Sequence, residues 1–187
     1  MGQRGTKTCD VNLDNVRVPA ANIIGGKAGV GFKTAMKVLD RGRLHMSAIA
    51  CGMAQRILDE SVSYARERTQ FGARIGDFQL IQAMLADSRA ELYAGWSMVK
   101  DCAARYDAKP AGQRDTEVSM LASCTKLFCT EMVGRLADRG VQVHGGAGYI
   151  SEYKIERFYR DVRLLRLYEG TTQIQQLIIG RALMAQH

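Results

Sequence analysis

A single carboxylate, Glu169, lies beside a glycine and two threonines in the segment LRLYEGTTQIQQ. Gly170 interrupts the helical pattern, and Thr171 is a suitable N-cap for the apolar helix that follows. A carboxylate just before a helix becomes a useful base only where a bound ligand excludes water from it. The segment therefore indicates either proton abstraction by Glu169 or, as spacing alone favours, a side chain that complements a helix dipole.

Long proline-free stretches must position this carboxylate. The chain has 187 residues, 47% of them hydrophobic, and only two prolines. Such a chain fits one domain with a real core. Pro110 and Gly112 mark a connection between two helical stretches. This pattern favours an all-α fold, an antiparallel bundle of the four-helix type.

Apolar residues recur at helical spacing in several segments. The spacing predicts helices over residues 31–68, over residues 77–106 with Asp77 as the N-cap, from residue 115 onward, and over 152–161 and 171–184. The glycines from Gly140 to Gly148 are predicted to break the third helix. Regular stripes of this kind are typical of core packing.

The first 25 residues follow a different pattern. Apolar and polar residues alternate around Val11 and Val18, and the segment ends at Pro19 and the pair Gly25 and Gly26. This pattern predicts a short extended segment before the bundle. Uncharged runs fall short of the ~18 apolar residues of a membrane span, and the first ten residues have no apolar signal core.

The net charge of +7 indicates an anionic partner, which could be a nucleotide cofactor, coenzyme A or nucleic acid. Arginines recur every third residue from Arg157 to Arg166. A solvated or inter-subunit face, laced with Glu156 and Asp161, is the favoured interpretation of this row. No nucleic-acid-binding motif accompanies it, so nucleic acid is not the expected partner.

The five cysteines are odd in number and lack CxxC spacing. Neither a disulfide framework nor a metal site is therefore predicted. Cys124 and Cys129 lie in a helical apolar pattern, so core packing is favoured over a reactive pair. A reducing compartment is expected, either the cytoplasm or, in a eukaryote, the mitochondrial matrix.

Longer segments carry a family resemblance. They are VRVPAANIIG from Val16, GFKTAMKVLDRGR from Gly31, YARERTQFGARIGDFQLIQ from Tyr64, QVHGGAGY from Gln142 and RDVRLLRLYEGTTQIQ from Arg160. Together they resemble the acyl-CoA dehydrogenase family, in its order and at similar spacing. The resemblance covers nearly all of this chain but about the last half of a typical member. It implies that residues 1–25 are a remnant of the middle β-domain with its linker, that residues 26–187 are the C-terminal helical bundle, and that the chain is a fragment.

The resemblance implies a chemistry for Glu169. In the family, a glutamate removes the α-proton of an acyl-CoA thioester while the β-hydride passes to FAD, which gives a trans-2-enoyl-CoA. Glu169 in LYEGT matches that base, and its backbone N–H matches a donor to the thioester oxygen. Some members place the base on the first long helix, where this chain has Gly42. The other matches to substrate-contacting positions are Asp40, Arg43, Tyr168 and Gly170. For Asp40 and Arg43 an ordinary ion pair stays open as the alternative.

The resemblance also implies two sets of FAD contacts. Thr171 and Gln173 match residues that touch the flavin of the same subunit. Matches to residues that reach the FAD of a neighbouring subunit are Arg68, Thr69, Gln70, Phe78, Gln79, Gln142, Val143, His144, Gly145 and Gly146. Taken alone, the run GGAG is a weak signal and equally consistent with a plain turn, and His144 is as consistent with a packed loop residue.

A cofactor shared between subunits implies a homodimer or homotetramer, and the family implies an electron-transferring flavoprotein as acceptor. The chain alone would be inactive, because much of the flavin site lies in missing segments. Three alternatives remain open: an acyl-CoA oxidase, a nucleic-acid-associated relative and a non-catalytic oligomerising module.

Overall fold

Helices make up most of the protein, whose computed structural model describes residues 1–108 and 115–185. They are α1 (Gly31–Glu67), α2 (Gln79–Ala108), α3 (Thr116–His144), α4 (Lys154–Val162) and α5 (Thr172–Ala185). Two-residue strands, β1 (Thr69–Gln70) and β2 (Ala73–Arg74), pair antiparallel between α1 and α2. The predicted all-α class is confirmed. The connection predicted at Pro110 and Gly112 lies outside the described residues.

The α3 helix is the centre of the bundle and packs against α1, α2, α4 and α5. Its buried face meets small residues of α1 such as Ala50 and Ala54, and larger ones such as Leu92 of α2 and Leu165. Small side chains on one helix opposite large ones on the next allow close helix packing. The elements on either side of Glu169 are therefore supported by α3.

Two helix starts show how local chemistry sets the boundaries. Asp115 caps α3, because its carboxylate accepts hydrogen bonds from the backbone N–H groups of Glu117 and Val118. The prediction that Asp77 caps α2 is wrong. Asp77 closes a short 3₁₀ turn and its carboxylate lies 3.3 Å from Arg74, so α2 begins only at Gln79.

The predicted break at Gly140 is also wrong, because α3 continues to His144 and ends at Gly145, which has φ +58°. Gly140 allows neighbouring helices to pack closely against α3. A Cβ at this position would lie 2.8 Å from Ile155 Cδ1 of α4 and 3.0 Å from Ile57 Cγ2 of α1. Its lack of a side chain lets three helices meet, while the left-handed turn falls on Gly145.

Residues 1–19 contain no helix or strand, and a short 3₁₀ helix (Ala20–Asn22) interrupts the segment predicted to be extended over residues 1–25. Arg160 of α4 donates to the carbonyl of Met1 at 2.9 Å, and Gln3 donates to Asp161. Val11 and Leu13 are about four-fifths exposed, at 81% and 78%. The bundle therefore leaves these apolar residues uncovered. No helix within the described ranges has the length and apolar character needed to cross a membrane.

The cysteines are free thiols. Cys124 and Cys129 do not pair with one another. Instead Cys129 faces Cys51 of α1, with 3.7 Å between the two sulfur atoms, and both are fully buried. The hydrogen bond to Cys51 and burial raise the pKa of Cys129. The preference for core packing over thiol reactivity is consistent with this environment.

Candidate active site

Glu169 lies in a left-handed turn between a short 3₁₀ helix and α5. Its φ is +55°, and Gly170 follows with φ +86°. A non-glycine residue in this region is uncommon and is kept there by its surroundings. A Cβ on Gly170 would lie 2.6 Å from Gln175 Nε2, so only glycine suits this position. Thr171 caps α5 as predicted, accepting a hydrogen bond from the N–H of Ile174.

The carboxylate of Glu169 extends to α1. A Cβ built on Gly42 would lie 2.6 Å from Glu169 Oε2 and 3.3 Å from its Cδ. The missing side chain of Gly42 thus leaves the space that the carboxylate occupies. The two positions that the family resemblance relates to a base meet at one point.

Two buried side chains hold the backbone of the turn. Lys126 of α3 donates from Nζ to the carbonyl of Gly170 at 2.7 Å. Gln175 donates from Nε2 to the same carbonyl at 3.0 Å and to that of Glu169 at 3.3 Å. Both side chains are fully buried. The turn therefore makes its hydrogen bonds with groups that cannot easily move.

Glu131, on the same helix as Lys126, binds the segments before and after the turn that carries Glu169. Its Oε2 accepts from Arg166 at 3.1 Å, and its Oε1 accepts from the hydroxyl of Thr172 at 2.6 Å. The arginine row thus does not form one solvated face. Arg160 pairs with Glu156, as the favoured interpretation requires, but Arg166 turns towards α3.

Asp40 and Arg43 form the ion pair that was the open alternative, with 2.7 Å between Oδ1 and Nη1. The other oxygen of Asp40 accepts from the hydroxyl of Ser119 on α3 at 2.6 Å. Arg43 is buried, and its Nε has no hydrogen-bond partner among residues 1–108 and 115–185. An unpaired, buried guanidinium N–H of this kind is uncommon in a folded protein.

The other residues at the turn differ in exposure. Tyr168 is partly buried and packs against the core, while Gln173 is exposed in the first turn of α5. The first N–H groups of α5 lack partners within the helix and favour an anionic or electron-rich ligand.

Lys126, Glu131 and Gln175 were not among the residues predicted from the sequence. Lys126 nevertheless leaves a signal, because it lies on the same helical stripe as Ala122, Cys129 and Val133, all of which are fully buried. A lysine on a core stripe must find a buried partner. Its partner, a backbone carbonyl 44 positions away, has no sequence signal.

A second group of predicted residues surrounds an open cleft of about 570 Å³ at the other end of α1. The predicted residues that line it are Arg68, Gln70, Phe78, Gln142, Val143, His144, Gly145 and Gly146. Thr69 and Gln79 are adjacent in sequence but do not line the cleft. The cleft brings together the hairpin after α1 and the end of α3.

His144 is buried at this cleft. Its ring stacks on Tyr64 with 4.3 Å between ring centroids, and its Nδ1 lies 2.8 Å from the carbonyl of Gly140. Burial lowers the pKa of His144. The ring therefore forms a packed wall of the cleft. Arg68 supplies a cation nearby, and a Cβ on Gly145 or Gly146 would meet no atom within 4 Å, so a ligand has room to approach the backbone.

The turn and the cleft are far apart. Gly42 and Tyr64 both lie on α1, and a rise of 1.5 Å per residue separates these positions by roughly 33 Å. The two sets of residues therefore form two separate sites on this chain.

Known protein families include relatives of this chain. The family model "Acyl-CoA dehydrogenase, C-terminal domain" matches residues 29–184. A caffeyl-CoA reductase-Etf complex subunit, CarC, from Acetobacterium woodii is 42% identical over 98% of this chain and 47% of that protein. The chain therefore spans about half the length of the curated relatives it matches.

Solved structures agree with the fold. A glutaryl-coenzyme A dehydrogenase in complex with glutaryl-CoA is similar with a TM-score of 0.85 at 34% identity, over 94% of this chain and 43% of that one. An acyl-CoA dehydrogenase from Bacillus anthracis, complexed with FAD, is similar with a TM-score of 0.79 at 33% identity, over 86% of this chain and 30% of that one.

Proposed function

The chain belongs to the acyl-CoA dehydrogenase family, and from this premise we propose that it is the C-terminal domain of a flavin-dependent acyl-CoA dehydrogenase with Glu169 as the catalytic base. The observation that carries this proposal is the place of the Glu169 carboxylate, which projects from a left-handed turn onto the bare backbone of Gly42. A group held in this way is pre-organised for reaction at a defined point.

Glu169 must remove a proton that is held tightly, because the α-C–H of a thioester is a weak acid. Glu169 takes the α-proton onto a carboxylate oxygen as the β-carbon loses hydride, so the product gains one carbon–carbon double bond. FAD, when bound, supplies the acceptor of that hydride. The backbone N–H of Glu169 donates to the thioester oxygen and stabilises the negative charge that develops there. Arg43, the residue after Gly42, binds the substrate beside the base.

The residues present fit FAD. The N-terminus of α5, with Thr171 and Gln173, would hold the flavin that reacts with the substrate of this chain. The cleft beside Tyr64, with Arg68 and the open backbone of Gly145 and Gly146, would hold the phosphates and adenosine of a neighbouring subunit's FAD. The separation of the two sites along α1 supports this assignment and a homodimer or homotetramer.

The named relatives support acyl-CoA thioesters as the substrate class. One of them is in complex with glutaryl-CoA, and another belongs to a caffeyl-CoA reductase-Etf complex. The same residues serve the reverse direction, in which Glu169 returns the proton to the α-carbon. An electron-transferring flavoprotein is the proposed electron-transfer partner, because that relative is a subunit of an Etf complex.

Residues 1–25 are proposed as the last part of a β-domain with its linker, and residues 26–187 as the helical domain. The exposed side chains of Val11, Leu13 and Val18 support this division, since the bundle leaves them uncovered. They would pack within the sheet of a longer protein.

A Glu169→Gln substitution tests the proposal in a full-length enzyme that carries this chain. The amide keeps the shape of the side chain without its basicity. We expect the flavin to stay bound and its anaerobic bleaching by acyl-CoA to slow by about a hundredfold or more. Glu152→Gln, at an exposed position, is the matched control and should bleach normally. Bleaching of Glu169→Gln at the unmodified rate would identify another residue as the base.

A further inference from the structure

Lys126 is an unusual residue in the core of this bundle. None of its surface is exposed to solvent, and it heads the largest fully buried side chains of the described residues. Its neighbours on the same stripe of α3 are Ala122 and Cys129. Burying an ammonium group is costly unless strong hydrogen bonds compensate it. A hydrogen-bond partner must therefore offset the free-energy cost of burying Lys126.

That partner is the turn that carries Glu169. The ammonium donates to the carbonyl of Gly170 at 2.7 Å, and Gln175 donates to the same oxygen at 3.0 Å. The turn has two consecutive left-handed residues, at φ +55° and +86°. Backbone of this kind persists only where the surrounding structure over-determines it. A charge-assisted hydrogen bond from a buried lysine meets that requirement.

Charged groups surround the ammonium on each side. Burial, followed by the positive charge of Arg43 on α1, lowers the pKa of Lys126 to about 8, while Glu131 on the same helix and Glu169 in the turn oppose this change. Lys126 thus shares an electrostatic environment with the carboxylate of Glu169. Its contact is with the backbone that orients this carboxylate.

We propose that Lys126 is a positioning residue, which holds the carbonyl of Gly170 so that the Glu169 carboxylate stays against Gly42. This inference rests on the proposed function. Its hydrogen bond keeps the turn from relaxing, and a carboxylate displaced by only ~1 Å loses about a hundredfold in rate.

The test uses a full-length enzyme that carries this chain. Lys126→Met keeps an unbranched side chain as far as Cε and removes the ammonium donor. We expect the limiting rate of flavin reduction by acyl-CoA to fall at least about tenfold, while the dissociation constant of acyl-CoA changes by less than about threefold. Lys126→Gln keeps an N–H donor with a shorter reach, so its rate should lie between those of Lys126→Met and the unmodified enzyme.

Thr130→Val is the matched control. Thr130 is buried on α3, and its hydroxyl donates to the backbone carbonyl of Lys126, inside the helix. This variant should lose stability without a change in the limiting rate. Hydrogen–deuterium exchange gives a readout that does not depend on activity: residues 168–171 should exchange faster in Lys126→Met than in Thr130→Val.

The outcomes separate the inference from the proposed function. An unmodified enzyme that acyl-CoA does not bleach overturns the proposed function, and the exchange comparison still decides whether Lys126 holds the turn. Unmodified rates in folded, flavin-loaded Lys126→Met or Lys126→Gln overturn the inference. So does a Lys126→Gln rate no higher than that of Lys126→Met. Should Lys126→Met not fold, Lys126→Gln is compared with the unmodified enzyme and with Thr130→Val.

Discussion

The backbone of Gly42 and the carboxylate of Glu169 occupy adjoining space, although they lie on different elements. A Cβ on Gly42 would come within 2.6 Å of Glu169 Oε2. Only the end of a flexible side chain lies in that space, so a clash there would move the carboxylate rather than the helices. The relationship makes Gly42 a sensitive probe of where Glu169 must be.

Gly42→Ala is expected to slow catalysis without unfolding the protein. The new methyl group displaces the Glu169 carboxylate, and the limiting rate of flavin reduction should fall by about ten- to a hundredfold in the full-length enzyme. Gly52→Ala, on an open face of α1, is the control and should not change the rate. Stopped-flow measurement of flavin bleaching gives the rates, and equal rates for the two variants would contradict the assigned position.

A second prediction moves the base from the turn before α5 to α1. Glu169→Gly removes the carboxylate and empties the space beside Gly42, so Gly42→Glu can then be accommodated. The double variant should bleach faster than Glu169→Gly alone, although below the unmodified rate, because the new carboxylate approaches from another direction. In the presence of Glu169, Gly42→Glu should instead lower the rate of flavin bleaching. Equal rates for the double and single variants, both folded and flavin-loaded, would refute this placement.

Gly140 and Gly52 should respond to alanine with opposite signs. Gly140→Ala places a Cβ 2.8 Å from Ile155 Cδ1 and 3.0 Å from Ile57 Cγ2, so overpacking should reduce the free energy of unfolding by about 1–3 kcal/mol. Gly52→Ala meets no atom within 4 Å in an exposed helix and should raise it by about 0.5–1 kcal/mol. Urea unfolding of both variants checks this, and stabilisation by Gly140→Ala would contradict the packing described for α3.

The lowered pKa of Lys126 predicts that the stability of the protein depends on pH. Burial lowers its pKa from 10.5 to about 8, so between these values the unfolded chain binds more protons than the folded one. The free energy of unfolding contributed by this group therefore rises with pH across that window, while below pH 8 the full penalty of the buried charge stays.

The measurement compares the unmodified protein with Lys126→Met by urea unfolding at several pH values. The stability difference should be constant below pH 8 and then change in favour of the unmodified protein as the pH rises towards 10.5. Lys100→Met, at an exposed position of α2, controls for the loss of a lysine as such. A difference that stays constant through this window would show that Lys126 keeps its ordinary proton affinity in the folded protein.

The amino-acid sequence by itself determined the local elements. Four-residue apolar steps predicted α1 to within one residue of its end at Glu67, and Asp115 marked the start of α3 through a cap that any helix would use. Gly170 and Thr171 likewise marked the turn and the start of α5. These signals are readable because they act between residues a few positions apart.

The tertiary structure decided what each of these elements meets. Gly140 lies inside α3 rather than after it, because Ile57 and Ile155 from two other helices need its missing side chain. Lys126 reaches the carbonyl of Gly170 across 44 positions, and Glu169 meets Gly42 between α5 and α1. Neither contact leaves a periodic trace in the chain. Such contacts depend on how the helices pack. The partner of a buried donor, or the side chain that fills a gap, can come from any part of the chain that the fold brings close.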